Sequence, residues 1–141
     1  MKVRIVRIEK DLPLPEYKTE GAVAFDFYSR VATTIEAGVD VLLPANLIIE
    51  VPADHALIIT PRSSTSLKKG LEFRNMGVVD RDFHGPNDEI KLHVYNFTSA
   101  PVAVERGERL AQGLIVPVAK AEWNEVESIK EESRGGFGST G

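Results

Sequence analysis

The chain has no cysteine and only three histidines (His55, His84 and His93), no two of them at helical ligand spacing. Disulfides and thiolate metal sites are therefore excluded, and a histidine-built zinc site has no basis. Positive charge is not in excess: 17 Lys and Arg stand against 21 Asp and Glu, a formal net charge of −4. A nucleic-acid or anionic-membrane surface needs clustered Lys and Arg, so the balance argues against both partners. No apolar run approaches membrane length. Met1-Lys2-Val3-Arg4-Ile5 alternates charged and apolar residues, unlike a signal peptide. Long helical periodicity and internal repeats are missing too. What remains is an ordinary globular mix, 43% hydrophobic and 27% charged over 141 residues. That length suits one domain with a real core, and the expectation is a soluble, intracellular (cytoplasmic) protein.

Short apolar runs recur with Pro or Gly between them, which predicts an all-β sandwich or barrel. Lys2–Ile8 and Gly21–Ser29 read as extended segments, and Leu12-Pro13-Leu14-Pro15 as a connector, because neither proline can donate to a ladder. Thr33–Glu36 leads into an Ala37-Gly38 turn. Val39–Leu43, Asn46–Val51 and His55–Thr60 are strands, each closed by a proline. Ser63–Lys69 is the exception, one or two helical turns with a Ser as N-cap and Gly70 as stop. Leu71–Asn75 returns to the β pattern. Ile90, Leu92 and Val94 alternate with Lys91, His93 and Tyr95, the cleanest half-buried strand in the chain. Pro101–Val104 and Arg109–Val118 add more strand. The division expected is a β-rich domain over 1–132 and a glycine-rich C-terminal arm over 133–141.

Five stretches carry candidate chemistry. Gly77-Val78-Val79-Asp80-Arg81-Asp82-Phe83-His84-Gly85 reads as a strand running into a tight turn and returning along Glu89–Asn96 as a β-hairpin. Asp80 follows the apolar pair, a partly desolvated position suited to a general base, and Phe83 offers a flat apolar face. On spacing alone, a solvated hairpin tip with acids for solubility is the plainer reading. Pro61-Arg62-Ser63-Ser64-Thr65-Ser66 places an Arg and several hydroxyls at a helical start, where backbone N–H groups attract anions; a capped turn is the plain alternative. In Arg109-Leu110-Ala111-Gln112, Gln112 is polar within an apolar run and needs a partner unless it faces water. The tail Arg134-Gly135-Gly136-Phe137-Gly138-Ser139-Thr140-Gly141 can wrap an anion with backbone N–H groups, Arg134 neutralising charge and Phe137 capping a ring. Composition alone also fits a tail with no fixed structure. Asp26 lies among aromatics in Ala24–Ser29, where capping a local turn is its plain role.

Taken in order, these stretches resemble the trimeric dUTP diphosphatases (dUTPases). That family has five short motifs, matched here by Ala24–Ser29, Pro61–Gly70, Gly77–Gly85, Gly107–Gln112 and Gly135–Gly141. The resemblance implies a jelly-roll-like β domain forming a homotrimer with shared active sites. It implies hydrolysis of dUTP to dUMP and pyrophosphate with Mg²⁺, and Asp80 as the base for the attacking water. Asn75, Gly77, Val78, Val79 and, opposite, Lys91 would line the base, and Phe83 would pack on the deoxyribose. Arg62, Ser63, Ser64 and Gln112 would hold phosphates, and Asp26 would meet the metal through water. In the tail, Phe137 and Gly138 would cover the nucleotide and Arg134 would meet the γ-phosphate.

The sequence departs from the family pattern in four places. Phe83 stands where the family usually has Tyr, and Ala24 where Gly is common. Pro86-Asn87-Asp88 follows Gly85 as an insertion beside the base, and Arg134 directly precedes Gly135. Two other functions remain on this fold. A dCTP deaminase carries a catalytic Glu in a Leu-Glu-Leu-like run, where this chain has Leu92-His93-Val94. A non-catalytic nucleotide-binding regulator could dispense with Asp80 or the tail, both of which are present.

Overall fold

A computed structural model describes residues 1–129. Among these residues the chain forms eleven strands and one short helix. In order these are β1 (Arg4–Arg7), β2 (Phe25–Tyr28), β3 (Thr33–Ile35), β4 (Asp40–Pro44), β5 (Leu47–Glu50), β6 (His55–Pro61), α1 (Ser63–Lys69), β7 (Leu71–Phe73), β8 (Gly77–Val79), β9 (Lys91–Asn96), β10 (Val102–Val104) and β11 (Arg109–Pro117). Every pairing is antiparallel. Strands β2-β11-β6-β8 make one sheet, β4-β9-β7 a second, and β1-β5 and β10-β3 two smaller ones. The sheets stay open, so the architecture is a sandwich of jelly-roll type and not a closed barrel.

The core lies between the sheets. Strand β9 shows how the sequence puts it there: Leu92, Val94 and Asn96 point inward and Lys91, His93 and Tyr95 outward, as period-two alternation requires. Leu92 and Val94 join a core cluster with Phe27 of β2, Leu57 of β6 and Leu110 of β11, each essentially without solvent contact. Packing is tight where β11 crosses β2. A Cβ on Gly113 would sit 2.6 Å from the Phe27 ring and 3.0 Å from that of Phe25. Gly113→Ala is therefore expected to destabilise the fold by about 1–3 kcal/mol, because buried rings must shift; a denaturant midpoint equal to wild type would contradict this.

Three expectations need correction. First, β8 and β9 are not a hydrogen-bonded hairpin. Strand β8 pairs with β6 (Leu57↔Val79, Ile59↔Gly77), whereas β9 lies between β4 and β7. A strand has two edges, and β4 and β7 already use those of β9, so the 80–90 connection passes from one sheet to the other. Second, the apolar pair is split by the pleat: Val79 is 9% exposed and Val78 56%. Asp80 follows on the surface, so it is not desolvated within one chain. Third, the N-cap of α1 is Arg62, in extended conformation and without a side-chain cap bond, and not a Ser. The Arg62 N–H donates to Leu110 O at 3.0 Å, which fixes the chain to β11 one residue before the hydroxyls begin. Thr65 Oγ1 then anchors the helix by donating to Leu110 O at 2.6 Å. Gly70 ends it as expected, in the left-handed region at φ 73°. Thr33–Ile35, read only as a lead into a turn, is a strand because it pairs with Val102–Val104.

Candidate active site

Two groups of residues lie along β6. The first is built on Asp26, only 7% exposed within β2. Its Oδ1 lies 3.0 Å from Arg62 Nε, and its Oδ2 accepts from Arg109 Nη1 at 2.9 Å. The register explains the meeting. Gln112 of β11 lies opposite both Asp26 of β2 and Thr60 of β6, which brings Arg62 and Arg109 to the same sheet end. One carboxylate cannot neutralise two guanidinium groups, so the shelf keeps a net positive charge. It is suited to fork-like binding of phosphate oxygens. Gln112 Nε2 donates to Pro61 O at 3.3 Å, at the surface and beside the shelf. Ser63 and Ser64 open α1 immediately after Arg62.

The second group is a cleft of about 460 Å³ between β8 and the segment running into β9. It is lined by Asn75, Gly77, Val78, Val79, Asp80, Phe83 and Lys91, all expected, and also by Ile59, Asn87, Asp88, Glu89 and Ile90. Strand β8 is the last in its sheet, with β6 on one side and no strand on the other. Backbone donors and acceptors on that free edge need partners. A flat ligand with alternating donors and acceptors satisfies them. Phe83 is kept at the mouth by a turn in which its N–H donates to Asp80 O at 3.3 Å.

A single chain does not bring Asp80 and the shelf together. Val79 lies opposite Leu57, so Asp80 comes level with Ala56 near the start of β6, whereas Arg62 follows its other end at Pro61. Six residues of strand separate the two levels, roughly 20 Å at about 3.3 Å per residue. Arg134, Phe137 and Gly138 lie outside the described residues.

Arg109 belongs to the shelf by its bond to Asp26, although the sequence reading did not place it in the site. Its signal was its place in the Gly107–Gln112 stretch; its link to Asp26, 83 residues away, is visible only in the fold. His93 is not among the residues lining the cleft; its Nε2 lies 2.6 Å from Asp40 Oδ2, and it lines a smaller pocket of about 160 Å³ that adjoins the cleft through Ile59, Asn75, Gly77 and Lys91. The hydrogen bond from His93 holds the Asp40 carboxyl below the usual range.

The fold and these two groups define a class: a jelly-roll β-sandwich with an arginine-bearing anion shelf and an open strand edge facing a cleft. A family model described as dUTPase matches residues 10–141. The deoxyuridine 5'-triphosphate nucleotidohydrolase of Caldanaerobacter subterraneus subsp. tengcongensis is 40% identical, the match covering 100% of this chain and 97% of that one. A crystal structure of dUTPase from Streptococcus mutans superposes with a TM-score of 0.77 at 31% identity, covering 84% of this chain and 98% of that one. The Staphylococcus bacteriophage 80alpha dUTPase with dUPNHPP gives a TM-score of 0.89 over 99% of this chain and 98% of its own, at 21% identity, and so speaks to the fold alone. The chain belongs to the dUTPase family.

Proposed function

We propose that the chain hydrolyses dUTP to dUMP and pyrophosphate, with Asp80 as the general base. The observation that carries this reading is the free edge of β8 facing the cleft, with Asp80 at its end and Phe83 at its mouth. Backbone groups of Gly77, Val78 and Val79, with Asn75 and Lys91, hold uracil, and Phe83 packs on the sugar. Asp80 takes a proton from water as its oxygen attacks the α-phosphorus. The bond from that phosphorus to the bridging oxygen breaks, and its electron pair leaves with pyrophosphate. Arg62, Ser63, Ser64 and Gln112, with Arg109, hold the triphosphate, since phosphoryl transfer depends mainly on positioning and charge neutralisation.

The separation of Asp80 from the shelf along β6 supports a shared site, one chain lending the cleft and another the shelf. A homotrimer satisfies this. Residues 133–141 serve as an arm over a site, with Phe137 and Gly138 over the nucleotide and Arg134 toward the terminal phosphate. The residues present fit Mg²⁺ held chiefly by phosphate oxygens and water. No group of three or more metal-binding side chains is found among the described residues, and the lone pairs of Asp26 not used by arginine can accept from a metal-bound water. Bound there, Mg²⁺ would supply neutralisation of phosphate charge. This is intracellular nucleotide chemistry.

Incubation with dUTP and dCTP tests the reading. Pyrophosphate release from dUTP, with no ammonia from dCTP, is expected. Ammonia release would favour deamination through the Leu92-His93-Val94 strand, and tight nucleotide binding without turnover would favour a regulator.

A further inference from the structure

Glu89 joins the cleft wall to Arg30, which follows β2, and to Asn46, between β4 and β5. Its carboxylate takes two parallel bonds from Arg30, Nε to Oε1 at 2.7 Å and Nη2 to Oε2 at 2.9 Å. Oε1 also accepts the backbone N–H of Asn46 at 2.9 Å. Both side chains are largely buried, 12% exposed for Glu89 and 24% for Arg30. The hydrogen bond from Glu89 raises the Arg30 pKa above its ordinary value. Arg30 is itself fixed, its N–H donating to Pro44 O at 2.8 Å and its Nη1 reaching Glu9 Oε1 at 3.3 Å. Asn46, in the left-handed region at φ 66°, is buried and bonded through its side chain to both backbone groups of Glu9.

The wall is tied at its other end by the neighbouring acid. Asp88 Oδ2 accepts the Gly85 N–H at 2.7 Å, and the Asp88 N–H donates to Gly85 O at 3.1 Å. A side chain at Gly85 would meet that carboxylate at 2.9 Å. Two adjacent carboxylates thus hold the 88–89 step of the wall from different directions, and the backbone of Ile90, bonded to Ala45 and Leu47, carries it into β9. A fork-to-fork pair fixes angle as well as distance, which one hydrogen bond does not.

We propose that Glu89, held by Arg30, is a positioning residue that sets the spacing between the 87–91 wall and the β8 edge, and with it the preference for uracil over a 5-methylated base. This rests on the reading of the cleft as the base and sugar site. One methyl group in a close-fitting pocket changes kcat/KM by roughly 10- to 200-fold, so a small widening erodes discrimination.

The test measures kcat and KM for dUTP and dTTP on the full chain, wild type, Glu89→Gln, Arg30→Lys and the double variant, with melting temperatures. Ile35→Val, a buried change remote from the cleft, serves as a stability control. Glu89→Gln is expected to raise KM for dUTP about tenfold with kcat within about twofold, and to lower the dUTP-to-dTTP ratio of kcat/KM about tenfold. Arg30→Lys keeps the charge but not the fork and should do the same, with the double variant no worse than either. It also decides the matter should Glu89→Gln fail to fold. Unchanged KM and ratio in the folded variants, or an equal shift in Ile35→Val, would overturn the inference while wild-type turnover of dUTP left the reading of the site standing. Absence of wild-type turnover would overturn both.

Discussion

Asp80→Asn is expected to lower kcat for dUTP by about a thousandfold with KM nearly unchanged, the loss a positioned general base gives when it can no longer take a proton. Asn has nearly the shape of Asp and can still hold a water, so binding should persist while chemistry stops. The position is favourable for such a clean result. Asp80 lies on the surface just past β8, outside the core, so no stabilising contact confounds the substitution. Single-turnover rates together with equilibrium binding of a non-hydrolysable analogue check it. Wild-type kcat in this variant would remove Asp80 from the mechanism.

Asp26→Ala should have the next largest effect, on both stability and turnover. Removing the carboxylate leaves two guanidinium groups at one sheet end with no counter-charge. Breaking a fully buried pair from one side costs about 3–5 kcal/mol. Here the arginine side chains are 30% and 38% exposed, so water screens part of the repulsion and about 2 kcal/mol is expected. Arg62 and Arg109 would also lose the shared acceptor that aims them, and kcat/KM should fall about a hundredfold through both parameters. Arg109→Gln in the Asp26→Ala background should cost less than in the wild type, a non-additivity that a double-mutant cycle reads directly. Additive losses would mean that the carboxylate does not organise the arginines.

These two acids also show what the sequence made legible. The place of Asp80 at the end of a strand was readable because its neighbours carry a local pattern: glycines at 77 and 85, an aromatic ring at 83, and strands on either side of the 80–90 connection. Strand β9 was equally clear, because alternation from Lys91 to Asn96 is a local consequence of burying one face. Pairing is different. That β8 pairs with β6 and not β9 depends on which edges remain free after β4 and β7 have docked, and no window of sequence contains that information. The role of Asp26 was hidden for the same reason, since a turn cap and a two-arginine clamp look alike until β2, β6 and β11 lie side by side. Arg109 and Glu89 were passed over because each is an ordinary charged residue whose partner is far away in the chain. Thr33–Ile35 is too short to show a period and is a strand only by virtue of β10.

The most direct test of the central claim is hydrolysis of dUTP in water enriched in ¹⁸O, with mass analysis of both products. Water activated by Asp80 and attacking the α-phosphorus places the heavy oxygen in dUMP and none in pyrophosphate. Heavy oxygen in pyrophosphate would mean attack at the β-phosphorus and would contradict the account.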